Sequence, residues 1–233
     1  METSGEKIFN ELIKNKDYKK YNLPRKKRGG GKHMANWCDN SIAFYQEDGG
    51  KAMLEAFYAD IQKYQDYKDP ETGESSDWVG HWLESSKIDI TKLYTRGFFC
   101  DCELNEDHVR MNMTTAWEPL PEVWELMADK YELSYVYISE EPGNEVYVNT
   151  DSEGRFFTTR YMIPSFDVDE LELDSETMAE FGERLREFNE EPLYFDSWEE
   201  VSEEFEVFGF NAADLDELNK RLEAFNIEVY EYK

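Results

Sequence analysis

The chain has 233 residues, 40% hydrophobic and 15% aromatic, with a formal net charge of −28. That supplies a core for one large domain or a domain with an appendage, and the carboxylate excess repels phosphate backbones, which argues against direct nucleic-acid binding. No run of about 18 apolar residues occurs, so no membrane span is expected, and the N-terminus lacks the apolar stretch of a secretory signal.

The charge is uneven. Residues 1–33 hold ten Lys/Arg against four Asp/Glu, and the remainder holds fifteen against forty-nine. A basic leader of net +6 therefore precedes a body of net −34. The stretch Gly29-Gly30-Gly31-Lys32-His33 stands directly before Met34. Its codons fit a purine-rich ribosome-binding tract, which makes Met34 the expected natural start. An expression scar ending in His-Met and a genuine basic tail remain alternatives. Gly-Gly-Gly-Lys is not a phosphate loop, because no Ser/Thr follows the lysine and no strand precedes it. Ile8, Leu12 and Ile13 predict a short helix, followed by disorder.

After Met34, "SIAFYQ" (Ser41–Gln46) reads as a strand, with Asn36, Trp37, Cys38 and Asn40 in the segment before it. Met53, Leu54, Phe57, Tyr58, Ile61 and Tyr64 have helical spacing. "KDPETGESSD" reads as a polar loop. Residues 78–96 are ambiguous, with a helical turn in "DWVGHWLESS" and a short strand or connector in "DITKLYT". "GFFCDCELN" and "HVRMNMTTAW" alternate with period two around Asn105-Glu106-Asp107, which predicts a hairpin. Pro121 and Glu122 suit the first turn of a helix whose buried stripe is Val123, Leu126, Met127 and Tyr131. "ELSYVYISEE" predicts a strand, Pro142-Gly143 a turn, "EVYVNT" a strand that pairs back and "GRFFTTRYM" one further strand.

The order β-α-β-β-α-β with an extra hairpin predicts an α+β domain over 34–163, a ferredoxin-like split βαβ antiparallel sheet with both helices on one face. Residues 164–233 predict an acidic, mostly helical extension of net −18. Its helices are marked by Met178, Phe181, Leu185 and Phe188, by a start at Ser197 with Glu200 in the capping-box position, and by Leu215, Leu218, Leu222 and Phe225. "IEVYEYK" predicts a closing strand docked on a sheet.

"MANWCDNSIAF" (Met34–Phe44) resembles the M-x-N-W-C-x-N opening of the YubB-like ferredoxin-fold family of plasmid and phage proteins, whose function is unknown. "TTAWEPLPEVWELMADKY" (Thr114–Tyr131) is similar to that family's T-x-W-x-P-P signature, with the second proline displaced to Pro121. The resemblance spans roughly residues 34–163. It implies the fold and a mobile-element setting, places the chain in a bacterial cytoplasm, and supplies no catalytic residues. The acidic tail lies outside it.

Candidate sites follow. Asn36, Trp37, Asn40 and Trp117 are pocket candidates, with an indole to stack and amides to read polar groups. Packing of the indoles and satisfaction of loop backbone by the amides is the favoured account. The three cysteines (Cys38, Cys100, Cys102) are too few for a disulfide framework and fit free thiols in a reducing compartment. Cys100 and Cys102 share a strand face by period two, but Cys-x-Cys is not a zinc-knuckle spacing. His81 and Glu84 fall on one helix face without a metalloprotease motif. Phe98, Phe99, Tyr135 and Tyr137 offer aromatics for stacking RNA, although Lys/Arg are scarce and the same rings suit a core. No enzymatic motif appears, and neither an enzyme, a cofactor nor a bound metal is expected.

The leading expectation is a non-enzymatic phage or plasmid accessory protein. It binds a basic host protein through carboxylates that stand in for phosphates: Asp167, Asp169, Glu170, Glu172, Asp174, Glu199, Glu200, Glu203 and Glu204. The alternative is a small-molecule or nucleotide-binding module with its pocket near Trp37 and Trp117.

Overall fold

The computed structural model describes residues 36–47, 50–65, 67–70, 73, 75–164, 192–206, 209–223 and 227–233. The chain divides into two compact units, 1–146 and 147–233. The protein is of the mixed α+β class. The leader and the segment with Met178–Phe188 lie outside the described residues.

In the first unit, β1 (Trp37–Tyr45) leads into α1 (Ala52–Gln65). Two short strands, β2 (Tyr67–Lys68) and β3 (Ser75–Ser76), precede α2 (Val79–Ser85). A 3-10 turn at Ile90–Lys92 leads to the hairpin of β4 (Gly97–Leu104) and β5 (His108–Ala116). Then come α3 (Pro121–Tyr131) and β6 (Ser134–Glu141), and β7 (Val146–Asn149) where the chain passes into the second unit. The antiparallel sheet has the order β4-β5-β1-β6-β7. β1 is antiparallel to both β5 and β6, and β5 to β4. β1 and β4 therefore run the same way with β5 between them, and β5 and β6 run the same way with β1 between them.

Each helix buries one stripe. α1 buries Leu54, Phe57 and Ile61, while Met53, expected in that stripe, is 40% exposed. α3 begins at Pro121, whose missing N–H costs nothing in the first turn, and buries Val123, Trp124, Met127 and Ala128. It ends at Glu132 in the left-handed conformation (φ 54°). These stripes meet Ile42, Phe44, Val109, Met111, Met113 and Phe99 from the sheet in one cluster, with Trp82 and Leu83 of α2. Burying an aromatic or long aliphatic side chain contributes about 1.5–3 kcal/mol each, so this cluster is the main source of the unit's stability.

Asp60 joins the three helices. It accepts from Tyr131 Oη (2.6 Å), Trp82 Nε1 (3.0 Å), Lys63 Nζ (3.1 Å) and Lys130 Nζ (3.2 Å). Burial pushes its carboxyl up, but these donors outweigh burial and hold it down at about 2.

Several expectations are corrected. The first strand begins at Trp37 rather than Ser41, because Cys38 and Asn40 are buried within the sheet and their polarity is satisfied there. The polar loop contains the β2–β3 hairpin. The segment at 90–92 is a 3-10 turn and not a strand, with Asp89 accepting from Thr91 N at its start. "GRFFTTRYM" is a strand only at Tyr161–Ile163. Before it, Asp151 accepts from the N–H groups of Phe156 (2.6 Å) and Phe157 (2.9 Å). Arg160 donates to the carbonyl oxygens of Asp151, Phe157 and Thr159. A loop with its backbone groups satisfied this way has no need of a ladder.

The second unit holds a three-stranded sheet of order β10-β8-β9, made of β8 (Tyr161–Ile163), β9 (Leu193–Phe195) and β10 (Tyr230–Glu231). Its helices among the described residues are α4 (Trp198–Glu206) and α5 (Leu215–Leu222). Glu200 N–H donates to Ser197 Oγ (3.3 Å), and Asp196 N–H donates to the Glu200 carboxylate (2.8 Å). α5 is capped by Asp214, which accepts from Glu217 N (2.9 Å). Ile163, Val201, Phe205, Leu218, Leu222, Ile227 and Val229 form its core. The C-terminal residues are tied in: Lys233 N–H donates to Tyr147 O (3.1 Å), and Asn149 N–H donates to Lys233 O (3.1 Å).

Candidate functional site

α4 carries the acidic candidates that fall among the described residues. Val201 and Phe205, four apart, turn into the second core. Helical spacing then places Glu199, Glu200, Glu203, Glu204 and Glu206 outside, and all five are exposed. The pairs 199/203 and 200/204 form two rows whose members are about 6 Å apart along the axis. Among the described residues no cation pairs with any of them, in contrast to Glu217 of α5, which is bonded to Arg221. Asp167, Asp169, Glu170, Glu172 and Asp174 lie outside the described residues.

The arrangement serves the helix only at its first turn. Glu199 and Glu200 sit in the first turn, where the positive end of the dipole favours them. Glu203, Glu204 and Glu206 occupy the unfavourable end, and the last turn has no basic residue. Like charges at i,i+4 cost a further 0.2–0.5 kcal/mol, roughly, per pair. A solvated row of this kind is suited to meeting a cationic surface.

The pocket candidates do not converge on one cavity. Side chains along β1 alternate between its faces. Cys38, Asn40, Ile42 and Phe44 point into the core, and Trp37 points the other way. Asn40 is 5% exposed. Its Nδ2 donates to Cys38 O (2.8 Å), Met113 O (3.1 Å) and Thr115 Oγ1 (2.9 Å), and its Oδ1 accepts from Ser139 Oγ (2.7 Å). An amide engaged on every side has nothing left for a ligand. Trp37 is half-buried, edge-on to Phe98 with ring centres 5.8 Å apart. Asn36 is exposed, and its carbonyl accepts from Trp117 N (2.9 Å). Trp117 is half-buried on left-handed backbone (φ 75°). Asn36, Trp37 and Trp117 thus meet at one end of the β1–β5 ladder, where Trp37 pairs with Ala116.

The cysteines also separate. The β4–β5 register shifts between Phe99 and Asp101, which makes Cys100 the extra residue of a bulge. Cys102 stays in the core, while Cys100 is exposed with Sγ 3.9 Å from Thr114 Oγ1. The two do not share a face as period two predicts, because a bulge shifts the alternation by one. Burial pushes the thiols of Cys38 and Cys102 up to about 12, and partial desolvation raises that of Cys100, so all three are protonated at neutral pH. Phe98 and Phe99 are buried, and Tyr135 and Tyr137 pack against the core cluster. His108 is engaged by Asp107 (2.8 Å) and Asn105 (3.2 Å).

Among the described residues no helix is long and apolar enough to cross a membrane. No family model, no curated protein and no solved structure matches the chain.

Proposed function

We propose that the protein is a non-enzymatic binding protein that engages a basic partner through its acidic second unit and imitates the charge of a nucleic acid. The observation that carries this reading is α4, whose five outward glutamates have no cation beside them among the described residues and of which Glu203, Glu204 and Glu206 sit at the end of the helix that disfavours them. The residues from Tyr147 onward hold twenty-five acids against seven bases, so the field around α4 is not cancelled by its surroundings. Such a surface steers toward cationic grooves of nucleic-acid-processing proteins and binds them with steep salt dependence.

We assign the first unit to the ferredoxin-like split βαβ arrangement. Two interleaved βαβ crossings, each enclosing a strand of the other, support that assignment. The resemblance of Met34–Phe44 to the YubB-like opening supports a plasmid or phage origin. The partner is then a basic protein of a bacterial host, and inhibition of a defence or DNA/RNA-processing enzyme is the purpose.

The test is capture from bacterial lysate at low and high salt, with duplex DNA as competitor. Basic nucleic-acid-binding proteins are expected at low salt, displaced by DNA and lost from a variant carrying Glu199→Gln, Glu200→Gln, Glu203→Gln and Glu204→Gln. Recovery of none at low salt, or equal recovery by the variant, refutes the α4 interface.

A further inference from the structure

β4 is an edge strand of its sheet, and an open edge is a template for pairing with another chain. Its first half is already engaged from within, since Phe99 N–H donates to Asp77 O (2.9 Å) and Trp78 bridges Phe98. The phase of the ladder tells which groups of the second half face outward. Asn105 N–H donates to His108 O (2.8 Å) where the hairpin turns, and bonded and non-bonded pairs alternate back from there. Asp101 and Glu103 are therefore bonded across to Asn112 and Arg110 of β5, whereas Cys102 and Leu104, opposite Met111 and Val109, turn their N–H and C=O groups away from it. Gln62 Nε2 reaches Cys102 O at 3.4 Å, in agreement with that direction. Among the described residues no main-chain group accepts from the N–H of Cys102 or Leu104.

The two faces beside this edge differ in chemistry. Cys102 is in the core, so its neighbours Asp101 and Glu103 point to the face away from the helices, and both are exposed. Asp101 accepts from Asn112 Nδ2 (2.7 Å), and Arg110 stands opposite Glu103. Exposed Glu106 and Asp107 follow at the turn, so carboxylates outnumber cations along this stretch. On the helix side Leu104 is 41% exposed. It borders a small notch that Lys51, Leu54 and Glu55 of the α1 end share with Asn105 and Glu106.

We propose that the Cys102–Leu104 edge of β4 is a strand-addition site for an extended segment of a partner protein in which basic residues alternate with apolar ones. The outward N–H and C=O groups of Cys102 and Leu104 supply the main-chain bonds. Alternate side chains of the added strand fall beside Asp101 and Glu103, where Lys or Arg fits, and beside Leu104, where an apolar residue covers it. A second copy of this chain fits worse. Antiparallel pairing about Cys102 sets Asp101 opposite Glu103 of the copy, and pairing about Glu103 sets two Glu103 carboxylates together, and like charges directly opposite destabilise a ladder. The site lies in the first unit and does not rest on α4.

Amide hydrogen exchange tests this in the whole protein, with an end-capped peptide of alternating lysine and valine as the probe. The peptide is expected to raise the protection of the Cys102 and Leu104 amides several-fold and to leave Ile42 in the central strand unchanged. The same peptide N-methylated at its valines keeps the charge but cannot pair, and it is expected to give no protection, as is a peptide with glutamate in place of lysine. Leu104→Pro removes an outward N–H and leaves the β5 ladder its bonds, so it is expected to abolish the response at Cys102. Glu103→Gln, at an exposed position, is expected to weaken the response several-fold and serves as the test should the proline variant unfold. No gain in protection with the lysine–valine peptide, or an equal gain with either control peptide, overturns the proposal. Protection of these amides that rises with protein concentration in the absence of peptide puts a second copy at the edge and overturns it too. Replacing the α4 glutamates leaves the expected response unchanged, so failure here and failure of the α4 interface are read separately.

Discussion

Replacing Asn40 by Ala separates a structural amide from a ligand-reading one. The substitution removes the donor to Cys38 O, Met113 O and Thr115 Oγ1 and the acceptor for Ser139 Oγ. Met113 O and Cys38 O are backbone groups of adjacent strands, so part of their loss is made good by the ladder. Ser139 is 1% exposed and Thr115 fully buried, so neither regains water. With net hydrogen bonds at about 1 kcal/mol each and a desolvated hydroxyl costing 1–3 kcal/mol, roughly, Asn40→Ala is expected to cost about 3 kcal/mol. That corresponds to a fall in Tm of about 6–12 °C for a unit of this size. Five of the six tryptophans (Trp37, Trp78, Trp82, Trp117 and Trp124) lie in the first unit, so urea unfolding followed by tryptophan fluorescence reads it directly. Asn36→Ala, at an exposed position, is expected to change stability by less than about 0.5 kcal/mol. Ser139→Ala combined with Asn40→Ala should be less costly than the sum of the two, because the bond they share is lost once. A loss below about 0.5 kcal/mol for Asn40→Ala, or equal losses at 36 and 40, would refute the assignment of Asn40 to the core.

Other substitutions probe different links. Asp60→Asn is expected to cost about 1–2 kcal/mol at pH 7 once solvent screening is allowed for. Because its carboxyl is depressed to about 2 in the fold, that stability is complete above the ordinary aspartate range and vanishes as the pH falls through about 2. Wild type and variant should therefore converge in acid urea titrations, and a gap that persists there would point to packing instead. Glu132→Gly removes a side chain from an exposed left-handed position (φ 54°) and is expected to raise stability by about 0.5–1 kcal/mol in thermal unfolding; a decrease would mean that the glutamate makes a contact worth more than its backbone strain. Gly80→Ala gains about 1 kcal/mol of helix propensity but drives a methyl into the Trp78 ring. A net loss of about 2 kcal/mol or more is expected by chemical denaturation, and a neutral result would show that Trp78 has room to move.

Much of the first unit was legible in the sequence because its signals are local. Period-two alternation on either side of Asn105-Glu106-Asp107 marked the β4–β5 hairpin. The 3.6-residue recurrence of Leu54, Phe57 and Ile61, and of Val123 and Met127, marked α1 and α3. In the second unit, capping chemistry marked α4, where Ser197 Oγ accepts from the first-turn amide of Glu200, and the recurrence of Leu215, Leu218 and Leu222 marked α5.

What escaped depends on partners far along the chain. Trp37-Cys38-Asp39-Asn40 has the composition of a turn and becomes a strand because Met113, Thr115 and Ser139, more than 70 residues away, satisfy the Asn40 amide. The bulge at Cys100 is a matter of register against β5, which no spacing within β4 encodes, and it sends two cysteines to opposite faces. The β2–β3 hairpin has no apolar alternation at all and is held by rings contributed from α1 and α2. The sequence by itself determined which segments have an apolar side and where the charge lies, because periodicity and composition are properties of neighbours along the chain. Tertiary structure decided which polar residues are interior and which acids stand alone, because satisfaction of a buried amide or a carboxylate depends on what the fold brings next to it.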